Sequence, residues 1–220
     1  MNSESHTDRQ SLARRFQTEL LKFYSTEEAI GQLGGNSFLQ HRLDIQNELT
    51  GYLEAGNCVS AQQQPVCRFL DPLLSTSRLP MFSGLIKSIR ELSPYLYWKN
   101  NDNYRNIFPD HFFENESFTE IIGPGSLIYS QNMRAGLLLL GEEVDYPSHN
   151  HEATEWYNVI NGSVLWQQGN GNYQLRCPGS AIFHSEWETH SIRCEGQAVL
   201  ALWSWSGELG SEAVASPVDT

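Results

Sequence analysis

The sequence predicts a mainly β protein, an antiparallel sandwich or barrel, that is preceded by an α-helical region. Apolar residues recur at helical spacing before residue 95. From about residue 117 the pattern changes to short apolar or alternating runs that are interrupted by Gly, Pro and Asn. The 220 residues suffice for one large domain with a helical extension, but not for two full-sized domains.

Three stripes of apolar residues predict helices in the N-terminal region, residues 1–94. The second stripe is looser than the others and follows a Gly-Gly-Asn turn at 34–36, whereas the third lies between Pro80 and Pro94, which suit the start and the end of a helix. We expect all three stripes to face the core. They comprise Leu12, Phe16, Leu20 and Phe23; Leu39, Leu43, Leu49 and Leu53; and Phe82, Leu85, Ile86, Ile89 and Leu92.

The aromatic and Asn-rich segment 95–116 is expected to connect the helices to the β region and to pack across its mouth. Residues 117–210 are predicted to form the sandwich or barrel, because many short strands at this spacing are typical of antiparallel architectures. Residues 211–220 are expected to be a loose tail. The runs predicted as strands are SLIYSQNM, AGLLLLG, EWYNVING, SVLWQQG, YQLRCPG, SAIFHS, HSIRC and QAVLALWSWSG.

The charge balance argues against polyanionic partners. Fourteen Lys and Arg residues against 26 Asp and Glu residues give a net charge of −12, which repels nucleic acids and anionic membrane surfaces. The longest apolar run, Leu137 to Leu140, is too short for a membrane helix. The polar N-terminus and the absence of C-x-x-C spacing among Cys58, Cys67, Cys177 and Cys194 predict a cytoplasmic protein with reduced thiols.

A candidate metal site lies in the segment HNHEATEWYNVING. Residues two apart in a strand point to the same side, so His149 and His151 share a face, and after a turn Glu155 and Tyr157 do too. Two imidazoles and a carboxylate that converge from neighbouring strands suit a first-row divalent metal, with a fourth ligand from elsewhere in the sheet. The downstream candidates for that ligand are His184 and His190.

The spacing of these residues resembles both motifs of the cupin superfamily. The pattern H-x-H-x3-E-x6-G ends at Gly162, and Pro178-Gly179 is followed by a histidine twelve residues after the proline. One departure is that the glycine that usually opens the first motif would lie nearer to the histidines than Gly141 does. The resemblance implies a double-stranded β-helix, or jelly-roll, barrel. It also implies that one divalent ion, Fe, Mn, Zn, Co or Ni, is bound by His149, His151, Glu155 and His190, with His184 on the strand before the turn.

Within that superfamily the chain resembles the bacterial dimethylsulfoniopropionate lyases, most closely the type called DddL. The resemblance rests on Tyr146, three residues before His149, on Tyr157, two residues after Glu155, and on the helical N-terminal half; it is sharpest over residues 144–192. It implies cleavage of dimethylsulfoniopropionate to dimethyl sulfide and acrylate, with tyrosines at these two positions taking part in catalysis.

Such a β-elimination removes a proton next to a carboxylate while a sulfonium leaves as a neutral thioether. We expect a metal ion to bind the substrate carboxylate and to favour the phenolate of Tyr157, which would be the base, with Tyr146 as the second candidate. Aromatic rings attract a sulfonium through their quadrupole, and Trp203 and Trp205 alternate onto one face of a predicted strand. Tyr146, Trp203 and Trp205 are the expected cage, with Trp187 in reserve.

Two other functions fit the same ligand set. One is a different cupin metalloenzyme, a dioxygenase or a sugar isomerase, since fold and ligands do not determine the reaction. The other is a non-catalytic cupin that binds a small ligand. Such a protein would usually carry a DNA-binding helix pair, against which the acidic, Arg-poor N-terminal half argues. The sequence leaves open the identity of the metal and whether the chain forms a homo-oligomer.

Overall fold

Six α-helices occur in the part of the chain that the computed structural model describes, residues 3–51, 53–57, 60–210 and 213–215. They are α1 (Ser3–Tyr24), α2 (Glu27–Ile30), α3 (Asn36–Thr50), α4 (Leu70–Thr76), α5 (Ser83–Leu92) and α6 (Asp110–Asn115). Short 3-10 turns lie at Pro65–Phe69, Pro80–Phe82, Ser93–Tyr95 and Asp102–Tyr104. Among these helices, none has both the length and the apolar character needed to cross a membrane.

The first and third predicted stripes face the core, as the buried Phe16 on α1 and Ile89 on α5 illustrate. The second stripe is partly wrong. Leu39 and Leu43 are 50% and 53% exposed, and the buried face of α3 begins one residue earlier. A buried polar residue interrupts the apolar repeat of that face, and for this reason the sequence pattern points to the wrong side of the helix. The buried residues of α3 are Phe38, His41, Ile45 and Leu49.

The strands of the described residues form two sheets. The larger sheet has the order β1-β3-β2-β4-β11-β6-β9, and the smaller has the order β12-β5-β10-β7-β8. The strands are β1 (Glu54–Ala55), β2 (Glu116–Ile122), β3 (Ile128–Tyr129), β4 (Arg134–Leu140), β5 (Asp145–Asn150), β6 (Thr154–Asn161), β7 (Val164–Gln168), β8 (Gln174–Arg176), β9 (Ala181–His184), β10 (His190–Arg193), β11 (Val199–Ser206) and β12 (Val214–Ala215).

The eight strands from β4 to β11 form a jelly roll. Every connection from β4 to β11 crosses between the two sheets, except the hairpin β7–β8, which stays within the smaller sheet. Antiparallel strands that alternate between two facing sheets in this way define that architecture. The predicted mainly β fold with a helical N-terminal region is therefore confirmed, and residues 117–122 extend the larger sheet as most of β2.

The turn before β5 departs from the usual chemistry of turns. Glu143 has a φ of 56°, a left-handed conformation in which glycine would be less strained. In the expected tail, Val214 and Ala215 pair with Asn150 and His149, so this short piece is a strand and not loose chain. Most of the tail and Cys58 lie outside the described residues, whereas the remaining cysteines are free thiols.

The larger sheet is buried on both faces. Leu137 and Leu139 of β4 belong to the core that the sheet shares with the helices, while Leu138 and Leu140 point into the jelly roll. On β11, Leu200 faces the helices and Trp203 faces the interior. A sheet covered on both sides needs apolar residues at consecutive positions, which explains the continuous run of four leucines in β4.

A buried polar cluster ties α3 to the outer face of this sheet. His41 Nδ1 lies 2.9 Å from Thr154 Oγ1 and 2.7 Å from Ser206 Oγ, and Tyr24 Oη lies 3.1 Å from Ser204 Oγ. These hydroxyls are on β6 and β11, next to residues that face the interior. Burial lowers the pKa of His41 to about 3, and the charge of Glu155 acts in the opposite direction. His41 is therefore neutral at pH 7.

The low pKa of His41 predicts a loss of stability in acid. The unfolded chain takes up the proton near pH 6.5 and the folded chain only near pH 3, so the free energy of unfolding falls as the pH drops between these values. His41→Asn keeps a polar group near Nδ1 but cannot ionise. We expect its unfolding free energy to depend less on pH, by up to about 1.4 kcal/mol per pH unit. Urea denaturation from pH 7 to 4 measures this, and the exposed His111→Asn is the control. Parallel curves for His41→Asn and the parent protein would contradict the assignment.

Candidate metal centre

Three buried histidines meet between the two sheets. His149 lies in β5, His151 directly follows that strand, and His190 begins β10. The β5–β10 pairing places His190 opposite His149. Their side chains offer nitrogen atoms that all lie within 4.8 Å of one another, which is close enough for a single metal ion to contact all three. The group contains His190 and not the other downstream candidate, His184.

Each of these histidines is oriented by a backbone carbonyl. The Nδ1 atoms of His149, His151 and His190 lie 2.8, 2.9 and 2.9 Å from the carbonyl oxygens of Pro147, Ala153 and Glu188. A carbonyl can only accept, so Nδ1 carries the proton in each ring, and Nε2 is left with a lone pair. Outer contacts of this kind fix the tautomer and the ring plane of metal-binding histidines.

The carboxylate of Glu155 completes the group from β6. Its Oε2 lies 2.9 Å from His151 Nε2 and 3.3 Å from His190 Nε2. Burial acts to raise the pKa of Glu155, and positive charge on His151 and His190 would outweigh it and lower the pKa. With the rings neutral, as the carbonyl contacts indicate, a bound metal ion would supply that charge. His190 Nε2 is buried without a hydrogen-bond partner. Lone pairs that face an ionised carboxylate need a cation between them, so this set of side chains fits a divalent metal.

His184 is buried beside this group but has another role. Its ring stacks on His190 with 3.9 Å between centroids, and its Nε2 accepts a hydrogen bond of 3.0 Å from Trp166 Nε1. Because that lone pair is already used, His184 packs against the candidate ligands and supports one of them. Burial and the neighbouring His190 lower the pKa of His184, so the ring is neutral.

A cavity of about 230 Å³ opens beside the candidate ligands. One side comes from the neighbouring strands β2, β4, β11 and β6 of the larger sheet, and the other residues come from β5, the connector and Ala213. Sequence reasoning did not identify the charged residues of β2 and β4 that line this cavity. Glu120 and Arg134 form an ion pair of 3.6 Å, and alternation along their strands could have indicated that they face inward. The described residues lining the cavity are Lys99, Asn100, Asn101, Asp102, Asn103, Phe118, Glu120, Arg134, Leu138, Tyr146, His149, Glu155, Tyr157, Trp203, Trp205 and Ala213.

Both candidate tyrosines line the cavity and are almost fully buried. Burial and then the charge of Glu155 raise the pKa of Tyr157 well above its usual value. Burial and then Tyr104 raise the pKa of Tyr146, while a hydrogen bond with Asn101 acts in the opposite direction. The protein by itself therefore keeps both phenols protonated. A base at either position needs a positive charge nearby.

The connector supplies residues that the sequence did not single out. Tyr104 is fully buried, with its ring 6.0 Å from that of Tyr146, and Phe112 packs on the same tyrosine. Asn100 donates hydrogen bonds to the carbonyls of Phe113 and Glu116, which anchors the connector where it reaches the cavity. The high content of aromatic and Asn residues in 95–116 could have indicated that this segment packs at the cavity.

The three expected tryptophans have different positions. Trp203 and Trp205 both line the cavity, in agreement with their predicted shared face. Trp187 does not line it: the side chain is 51% exposed, and the backbone N–H donates to the carbonyl of His151. The backbone of Trp187 lies beside His151, but a left-handed turn with a φ of 58° leaves its ring exposed to solvent, so the ring does not take the place in the cage that was expected in reserve.

Comparisons with known proteins point to one family. The family described as dimethylsulfoniopropionate lyase matches residues 41–201. Dimethylsulfoniopropionate lyase DddQ of Ruegeria pomeroyi is 27% identical over 94 residues, which are 43% of this chain and 47% of that protein. The match thus spans about half the length of this curated relative. No comparison bears on the DddL type, which stays a prediction.

Solved structures show the same fold over almost the whole chain. A chain from the crystal structures of the lyases RdDddP and RnDddQII has a TM-score of 0.70 and 20% identity, with coverage of 93% of this chain and 100% of that chain. DddQ from Ruegeria pomeroyi DSS-3 also has a TM-score of 0.70, with 18% identity and coverage of 92% and 96%. The helical region therefore belongs to the shared fold, since the alignment extends well beyond the jelly roll.

The ligand geometry predicts opposite results for the same substitution at the two stacked histidines. His190→Gln removes an imidazole whose Nε2 points at Glu155 and should weaken metal binding by more than about 100-fold, as should His151→Ala and Glu155→Ala. His184→Gln keeps an acceptor for Trp166 and should retain one ion per chain. Zn(II) titration of metal-free protein and elemental analysis measure both. Loss of metal in His184→Gln alone would exchange the two assignments.

Proposed function

The chain belongs to the dimethylsulfoniopropionate lyase family, and we propose from this that it cleaves dimethylsulfoniopropionate to dimethyl sulfide and acrylate by β-elimination. The observation that carries the proposal is the cavity itself, which brings two tyrosines and two tryptophans together beside a candidate metal-binding group. A cytoplasmic location and the absence of a nucleic-acid partner stay predictions from composition.

The elimination needs three contributions from the site. A base removes the proton next to the carboxylate, the electron pair of that C–H bond forms the double bond, and the C–S bond breaks so that sulfur leaves with its electrons as neutral dimethyl sulfide. A divalent ion held by His149, His151, Glu155 and His190 would supply Lewis-acid stabilisation of the charge next to the substrate carboxylate and would favour an ionised phenol nearby. The chain must supply the base and the binding site for the sulfonium.

Tyr157 is the proposed base. It is two residues after Glu155 on the same face of β6, it lines the cavity, and its hydroxyl contacts that carboxylate. Trp166 packs against its ring with 4.8 Å between centroids, which limits how far the phenol can move. A hydroxyl held in this way can meet a substrate proton in a defined geometry, and general-base catalysis depends on such positioning.

Tyr146 is the second candidate for the base, and its contacts favour a role in orienting the substrate. The hydroxyl is engaged by Asn101, and the ring packs against Tyr104 and His149. A phenol held by polar partners on the connector has a fixed position. The hydrogen bond with Asn101 also acts to lower the pKa of Tyr146, which keeps it the alternative base. Its ring, beside a candidate ligand and at the cavity wall, can bind the substrate by contact.

The sulfonium is proposed to bind against aromatic rings. Tyr146, Trp203 and Trp205 line the cavity, and each ring can attract a diffuse cation by about 0.5–2 kcal/mol. The attraction weakens when the sulfur loses its charge, which assists the departure of dimethyl sulfide. The three carboxylates that line the cavity have other partners: Glu155 faces the histidines, Glu120 pairs with Arg134, and Asp102 pairs with Arg105.

The reaction predicts equal amounts of dimethyl sulfide and acrylate from purified, metal-loaded protein. Headspace analysis of the first product and chromatography of the second measure the yield. Tyr157→Phe removes only the hydroxyl and should retain metal while kcat falls by about 10²-fold or more, as expected for the loss of a general base.

Two controls accompany this experiment. Tyr146→Phe, assayed beside Tyr157→Phe, should have the smaller effect on kcat, and the reverse order would transfer the role of base to Tyr146. Oxygen uptake should be zero, because elimination consumes none. Oxygen consumption without dimethyl sulfide would replace the proposed lyase by an oxygenase.

The aromatic cage predicts a preference for positive charge. The neutral thioether 3-(methylthio)propionate keeps the carboxylate and the chain of the substrate but lacks the charge. It should inhibit more weakly than 3-(trimethylammonio)propionate, a charged analogue with a poor leaving group, by about 1–3 kcal/mol, a few-fold to about a hundredfold. Equal inhibition constants would eliminate the cage and leave the carboxylate as the main source of affinity.

A further inference from the structure

Trp205 makes its closest ring contact with a candidate metal ligand. The centroids of the Trp205 and His151 rings are 4.2 Å apart with 30° between the planes, so the indole covers one side of the imidazole. His151 is otherwise fixed at one edge by the hydrogen bond from its Nδ1 to Ala153. A hydrogen bond at one edge still allows the ring to tilt about that edge. The indole opposes such a tilt because it is packed against the ring face.

A cationic side chain also lies near the same indole. Trp205 of β11 is in register with Glu155 of β6 and with Arg134 of β4, and residues in register share one face of the sheet. The guanidinium of Arg134 is 5.8 Å from the centre of the Trp205 ring and is itself held by Glu120. Arg134 is on β4, beside β11 in the larger sheet, whereas His151 follows β5 of the smaller sheet. The indole therefore contacts groups from both sheets.

Trp203 has different neighbours. It is in register with Tyr157 on β6 and with Gly136 on β4, and the glycine contributes no side chain beside the indole. The backbone of β2 fills the space over that glycine, where the carbonyl of Thr119 would clash with any Cβ. The aromatic rings nearest to Trp203 are Trp205 and Phe118, with centroids 5.9 and 6.4 Å away. Trp203 lines the cavity and, unlike Trp205, stacks on no candidate metal ligand among the described residues.

We infer that the two tryptophans have separate roles: Trp205 is a positioning residue that holds the plane of His151, and Trp203 is the ring that receives the cationic end of the substrate. The role of Trp203 rests on the proposed function. The role of Trp205 rests only on contacts within the chain, and it can be tested with a metal ion alone.

The test uses the same substitution at both positions. Metal-free Trp205→Leu and Trp203→Leu are titrated with Zn(II) in competition with a chromophoric chelator. Trp205→Leu should bind Zn(II) about tenfold more weakly than the parent protein, the lower range for losing an outer contact of a ligand, and Trp203→Leu should bind it as the parent does. Equal Zn(II) affinities for the two variants would overturn the positioning role.

A conservative variant separates positioning from general stability. Trp205→Phe keeps an aromatic face against His151 and should recover most of the Zn(II) affinity that Trp205→Leu loses. If Trp205 only filled space beside His151, the leucine and phenylalanine variants would bind Zn(II) equally well. If Trp205→Leu does not fold, the positioning role is tested instead by the visible absorption of Co(II) bound to Trp205→Phe and to Trp203→Phe. The spectrum should change only in Trp205→Phe, and identical spectra in both variants would overturn the proposal.

The role of Trp203 is measured at saturating metal. Trp203→Leu should raise the KM for dimethylsulfoniopropionate several-fold and should abolish the preference for the charged analogue over the neutral thioether. An unchanged preference in Trp203→Leu, together with its loss in metal-saturated Trp205→Leu, would assign the cage to Trp205 instead. Absence of lyase activity in the parent protein would end the Trp203 assignment but would leave the Zn(II) result for Trp205 standing.

Discussion

The site depends on a sheet that must satisfy two cores at once. The outer face of β4, β11 and β6 packs against the helices through residues such as Leu137, Trp156 and Leu200, and the inner face forms the cavity wall. Because side chains alternate strictly along a strand, fixing the outer set fixes the inner set. A shift of one residue in β6 would exchange Trp156 with Glu155 or Tyr157. Burial of the outer face therefore holds the site residues in register, and the helical region contributes to the site without reaching it.

In the candidate metal centre, hydrogen bonds and packing set the tautomer and the ring plane of each histidine before a cation binds. Three Nδ1–carbonyl hydrogen bonds leave three Nε2 lone pairs, and those of His151 and His190 face one carboxylate, an arrangement that would be unfavourable in a dry interior without a positive charge. Packing supports the same geometry, since His184 stacks on His190 and Trp205 covers His151. The aromatic side chains around the histidines thus do more than fill the interior: they restrict the planes of the rings.

Local sequence patterns predicted the fold class and most of the histidines and aromatic residues that meet at the cavity, but they erred where tertiary contacts changed the surroundings of a residue. On α3 the apolar Leu39 and Leu43 are exposed, and polar His41 is buried because hydroxyls on β6 and β11 satisfy it. Trp187 is close in sequence to His190, yet a backbone turn leaves its ring exposed. Alternation could have placed Glu120 and Arg134 on the inward face of their strands, but only strand pairing shows that they meet as an ion pair at the cavity.

The sequence by itself determined the repeat of apolar residues that distinguishes helical from strand segments, and the spacing of His149, His151 and Glu155. Both depend only on neighbours along the chain. The sequence left the choice between His184 and His190 to an analogy with a family. Only the tertiary structure decided that choice geometrically, since strand pairing sets which Nε2 faces Glu155 and the distant Trp166 uses the lone pair of His184. The same holds for the two tryptophans: alternation put them on one face, and only the neighbouring strands, with Arg134 beside one ring and Gly136 beside the other, made their surroundings different.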